Sequence, residues 1–220
     1  MSIYKKNLEL LTKNNVYSKE MEHDACGVGL IASTEGKKSR EVVEYGIEAL
    51  KAVWHRGAVD ADGKTGDGAG IHLEIPKDFF IEKIEVTGHI HDGSDICVGM
   101  IFLPRNDYAS QESCKTIVES ELTKNNFNIY GWRQVPVNPK VLGEKAFQTM
   151  PEIIQVLFKS NDKNLIDKDL ERKIYETRKK IENKAFNLSL NNFYICSISS
   201  KSIIYKGMFL AEAISDFFLD

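Results

Sequence analysis

Cys26 stands in the stretch MEHDACGVGLIA, residues 21 to 32, directly ahead of an apolar run. A cysteine that only fills a core usually lies inside such a run. One at its mouth, followed by Gly27 and Gly29, lies where a second molecule can approach the backbone closely. A thiol becomes a nucleophile when a cation, a helix N-terminus or an adjacent base favours the thiolate. One base is contained in the residue itself. If the Ala25–Cys26 bond were cut, the new α-amine would have a reference pKa of about 7.7 to 8.0 and would share a residue with the thiol. The alternative reading makes ACGVG a small-residue lead into a packed strand.

A second chemically suggestive stretch is WHRGAVDADGKTGDGAG, residues 54 to 70, with glycines at 57, 63, 66, 68 and 70. It lacks GxGxxG spacing, and no GK[ST] completes a GxxxxG pattern, so a nucleotide phosphate loop is not indicated. Arg56 is a lone guanidinium that can grip a carboxylate bidentately or form a surface salt bridge. Asp67 can hold an α-ammonium or organise the turn. The other cysteines carry less chemistry: Cys97 and Cys196 lie inside β-branched apolar runs, and Cys114 is far from both. His23 with Cys26, and His89 with His91, have ligand-like spacing, but nothing completes a set, so no metal is expected.

Hydrophobic spacing indicates the secondary structure around these residues. Residues 27 to 33 suit a buried strand, and Ser39 can cap a helix whose Val42, Val43, Ile47, Leu50 and Val53 keep helical spacing. Strands are expected at 71–75, 95–103, 127–137, 152–158, 193–199 and 202–206, with helices near 108–124 and 167–186. Several strands adjoin without an intervening helix, which predicts an α+β fold with mainly antiparallel pairing. The closing AEAISDFFLD reads as a helix whose apolar face ends without a tail, as expected of a truncated chain or of a natural helical terminus. Residues 1 to 22 are polar apart from Leu8, Leu10 and Leu11, and read as a leader.

Composition narrows the rest. The 220 residues are 42% hydrophobic with 29 basic and 32 acidic side chains and a formal charge of −3, so no block of charge points to nucleic acid or an anionic membrane. No stretch approaches the roughly 20 apolar residues of a membrane span and no signal-peptide core is present, which makes a cytoplasmic location the expectation.

Together, DACGVGLIA at 24–32 and HRGAVDADGKTGDGAGI at 55–71 resemble the class II glutamine amidotransferase domain that opens the large subunit of glutamate synthases. Weaker similarity continues through PEIIQVLFKS and SSKSIIYKGMF. The resemblance implies a four-layer αββα N-terminal-nucleophile hydrolase sandwich, incomplete at the C-terminus. It divides the chain into a leader, 1–25, and the N-terminal part of the amidotransferase domain, 26–220. It makes Cys26 the nucleophile that attacks L-glutamine and places Arg56, Gly57 and Asp67 in the substrate-binding loop. It implies no cofactor within this chain, whereas FMN and an iron–sulfur cluster are implied for the full-length enzyme. The remainder of the large subunit, and a small subunit or ferredoxin as electron donor, are the implied partners. The family's arginine clamp and Asn-Gly oxyanion hole are expected beyond Asp220. Loss of one oxyanion donor costs about 10² to 10³ in rate, so the 220 residues alone are expected to be nearly inactive. Two other readings remain: a split glutaminase completed by a partner, and a degenerate amidotransferase domain that only binds a partner.

Overall fold

A computed structural model describes residues 2–14 and 26–220. The first element is α1, Ile3–Asn14, a helix that runs through Leu8, Leu10 and Leu11. The rest of the expected leader, His23 included, lies outside the described residues.

Helix α2, Arg40–Ala52, starts as predicted, with Ser39 Oγ accepting from the Val42 amide at 3.4 Å. Then come β1 (Ala69–Glu74), α3 (Lys77–Val86), β2 (Cys97–Leu103), α4 (Tyr108–Lys124), β3 (Phe127–Gln134), α5 (Glu144–Thr149), β4 (Glu152–Ser160), α6 (Asp167–Asn187), β5 (Tyr194–Ser199), β6 (Ser202–Gly207) and α7 (Ile214–Phe217). Every strand pair is antiparallel: β1 with β6, and a four-stranded sheet in the order β3-β4-β2-β5. The α+β expectation is met.

Side-chain alternation along β2 shows how the sheet divides its surroundings. Cys97, Ile101 and Leu103 join a buried cluster with Cys114, Ile117, Val118 and Leu122 of α4 and Leu170, Ile174 and Ile181 of α6. Val98 and Met100 face the other way, into a cluster with Ile203 and Tyr205 of β6, against which Ile71 and Leu73 of β1 and Ile47 and Leu50 of α2 pack. The helices α4 and α6 are tied together at the surface of their cluster, where Lys184 donates to the carboxylate of the buried Glu121. Between the sheets, the fully buried Gln155 is satisfied by Arg133 at 2.8 Å and the Tyr205 hydroxyl at 3.3 Å. A buried amide without those partners would be strongly destabilising. The outer edge of β5 is blunted by Arg178, which donates to the Ile195 carbonyl at 2.7 Å.

Two expectations fail. Residues 26–33 form no strand, and Val28 and Leu30 are 90% and 89% exposed. A strand needs a hydrogen-bonded neighbour, and β1, the nearest open edge in sequence, pairs only with β6 among the described residues. The apolar pattern of 27–33 is therefore present without the partner that would make it a strand. At the other end, Ile214, Phe217 and Phe218 do not form an open apolar face. All three are buried, Phe217 and Phe218 packing on Phe209, while the Asn138 amide donates to the Phe217 carbonyl at 2.8 Å and Val137 bridges Phe218. Beyond the helical turn, the chain runs extended beside residues 136–138.

Candidate active site

Helix α2 delivers the chain to a 3₁₀ turn, Trp54–Arg56, which is closed by the Gly57 amide donating to the Trp54 carbonyl at 3.0 Å. Residues 58–67 then form a small hairpin rather than an irregular loop. The Asp67 amide donates to Ala58 O at 3.2 Å, Val59 bridges Gly66, and the Asp60 amide donates to Thr65 O at 2.9 Å. Gly63, at φ +70°, makes the reversal that a side chain would resist. This ladder brings Gly57 and Asp67 together: a Cβ on Gly57 would lie 3.4 Å from Asp67 Oδ1. Asp67 itself is exposed at the hairpin's base, immediately before Gly68 and β1.

The turn-organising role considered for Asp67 belongs to Asp62. Its Oδ1 accepts from the Lys64 and Thr65 amides at 2.9 and 2.7 Å, and its Oδ2 accepts from the Thr65 hydroxyl at 2.6 Å. Those bonds, the Thr65 hydroxyl first, hold the Asp62 carboxyl well below the ordinary carboxylate range. The local signal was present in DGKT, since an Asp followed by Gly and a hydroxyl residue favours this kind of side-chain-closed turn. Asp62 and Thr65 are the site residues that sequence reasoning passed over.

Cys26 is exposed, whereas Cys97, Cys114 and Cys196 are buried. Burial pushes the thiols of Cys114 and Cys196 up to about 11 and that of Cys97 further, so the three are poor nucleophiles near neutral pH. The structure brings Gly57 and Asp67 together but does not bring Cys26 to them: no described contact joins it to either. Arg56 is fixed in backbone position by the 3₁₀ turn beside Gly57. Among the described residues no group of three or more His, Cys, Asp or Glu side chains could hold a metal ion. No described helix is long and apolar enough to cross a membrane.

The sequence profile of the glutamine amidotransferases class-II matches residues 26–220, and the chain belongs to that family. Within it, the chain is similar to the glutamate synthase [NADPH] large chain of Azospirillum brasilense, with 52% identity over 217 residues, covering 99% of this chain and 14% of that protein. It is also similar to ferredoxin-dependent glutamate synthase 1 of Arabidopsis thaliana, 40% identical over 205 residues, and to ferredoxin-dependent glutamate synthase 2 of Synechocystis, 37% identical over 200. Each of those two alignments covers 90% of this chain and 12% of the relative. The chain thus spans only a small part of the length of the relatives it matches.

Proposed function

We propose that this chain forms the nucleophile-bearing part of a glutaminase site in a glutamate synthase, with Cys26 as the nucleophile after release of residues 1–25. The observation that carries this reading is that the family match opens on Cys26, the exposed one of four cysteines. The four-layer αββα N-terminal-nucleophile hydrolase sandwich belongs to the same proposal, supported by the antiparallel sheets packed face to face and the helices outside them.

In this mechanism the freed α-amine takes the proton of the Cys26 thiol, and the sulfur attacks the side-chain amide carbon of L-glutamine. The α-amine returns that proton to the departing nitrogen, which leaves as ammonia, and water then hydrolyses the glutamyl thioester to glutamate. Arg56 and Asp67 line the substrate approach, Asp67 toward the α-ammonium, with Gly57 keeping the approach open, while the carboxylate clamp and the oxyanion donors come from the remainder of the large subunit. For these groups to meet, residues 27–33 must leave the exposed state and gain a strand partner, which would bury Val28 and Leu30 and draw Cys26 toward the hairpin. The ammonia serves reductive amination of 2-oxoglutarate elsewhere in the full-length enzyme. FMN and an iron–sulfur cluster supply the electron chemistry there, with a small subunit or ferredoxin delivering the electrons, and no step at Cys26 passes through them.

Peptide mapping of the protein from its own cells tests the processing on which the mechanism depends. A peptide beginning at Cys26, with no peptide from residues 1–25, is expected. An intact Met1 in active protein would remove the α-amine from the mechanism.

A further inference from the structure

The hairpin that presents Asp67 is clamped from outside by two distant parts of the chain. Thr65 is 2% exposed although Lys64 before it and Asp67 two positions after it are exposed. Besides donating to Asp62, its hydroxyl accepts from the Ala146 amide at 3.3 Å, a contact across 81 residues that joins the turn to the start of α5. Lys145 pairs with Asp60 at 2.7 Å. Gly143 approaches so closely that a Cβ would fall 2.5 Å from the Thr65 amide nitrogen. On the other side, a Cβ on Gly66 would fall 2.6 Å from the Phe209 carbonyl oxygen.

Asp62 and the backbone bonds between Asp60, Gly63 and Thr65 already close the turn. The added contacts fix where the whole hairpin stands, and the residues most directly affected are Asp67, two positions after Thr65, and Gly57, whose Cβ position lies 3.4 Å from Asp67 Oδ1. We infer that Thr65 is a positioning residue: with the Gly143–Ala146 backbone, it holds Gly57 and Asp67 side by side in the place where substrate is received. The substrate half of this inference rests on the amidotransferase reading, whereas the geometric half does not.

The test is Thr65→Val in the full-length protein, which preserves side-chain shape and removes both hydroxyl bonds. Amide hydrogen exchange at Asp60 and Asp67, whose N–H groups bond to Thr65 O and Ala58 O, is expected to speed by about tenfold, with β2 and β4 amides unchanged. KM for glutamine should rise by about tenfold with kcat within about twofold, and Thr65→Ser should restore both. Unchanged exchange at Asp60 and Asp67, or acceleration shared equally by β2 and β4, overturns the inference. A normal KM in a variant with a loosened hairpin overturns it as well. If the parent protein shows no response to glutamine, the amidotransferase reading falls, and the exchange comparison still decides the geometric half. Should Thr65→Val fail to fold, Lys145→Ala breaks a pair at a side chain that is 67% exposed, and the same exchange rates are read.

Discussion

Replacing Cys26 by alanine in the full-length enzyme is expected to lower glutamine-dependent glutamate synthesis by at least about 10³-fold while leaving ammonia-dependent synthesis within about twofold. The size of the first effect reflects removal of the atom that forms the covalent intermediate. The other cysteines are poor substitutes, since Cys97, Cys114 and Cys196 are buried and their thiols are held in the neutral form. The second activity is retained because supplied ammonia bypasses the step at Cys26. Equal loss of both activities would make Cys26 a structural residue, in line with the packed-strand reading of ACGVG.

Gly66→Ala is expected to carry the largest stability cost among changes in the hairpin, about 1 to 3 kcal/mol from overpacking. The new methyl would meet backbone rather than a yielding side chain: Phe209 O at 2.6 Å, Phe209 C at 2.7 Å and Leu210 N at 3.0 Å. Phe209 cannot easily retreat, because it is buried against Phe217 and Phe218. Gly29→Ala is the matching control, with nothing within 4 Å of its added methyl and an expected change within about 0.5 kcal/mol. Urea denaturation of the two variants checks the difference, and equal midpoints would mean that the hairpin is not held against residues 209–210.

The contrast between those glycines also shows what could be read from sequence. Elements with a strong period were legible: the Ser39-capped α2, the long helices α4 and α6, and the strands that alternate between two packed faces. Helix α3 was missed because Phe79, Phe80 and Ile81 adjoin rather than recur at helical spacing, and α5 because Glu144–Thr149 is too short to show a period. The pattern at 27–33 announces a strand, but pairing is a tertiary fact that alternation alone does not supply. The burial of Phe217 and Phe218 depends likewise on Phe209 and on the distant residues 136–138.

At the candidate site, residue types were legible and roles less so. Cys26 drew attention because a nucleophile at the mouth of an apolar run is unusual, and the structure shows it as the exposed thiol. Gly57 and Asp67 are brought together as their shared loop suggested. The turn chemistry passed to Asp62, however, and the anchoring to Thr65, because the partner of Thr65 is the Ala146 amide on α5. No local pattern in DADGKTG reveals a contact that far along the chain.

If Cys26 is a nucleophile facing a glutamine-shaped site, a diazoketone analogue of glutamine should find it in the full-length protein, with the adduct mapped by mass spectrometry. One adduct is expected, on Cys26, blocked by L-glutamine, with Cys97, Cys114 and Cys196 unmodified. An adduct on one of those three, or loss of glutamine-dependent activity with Cys26 unmodified, would show that the nucleophile lies elsewhere.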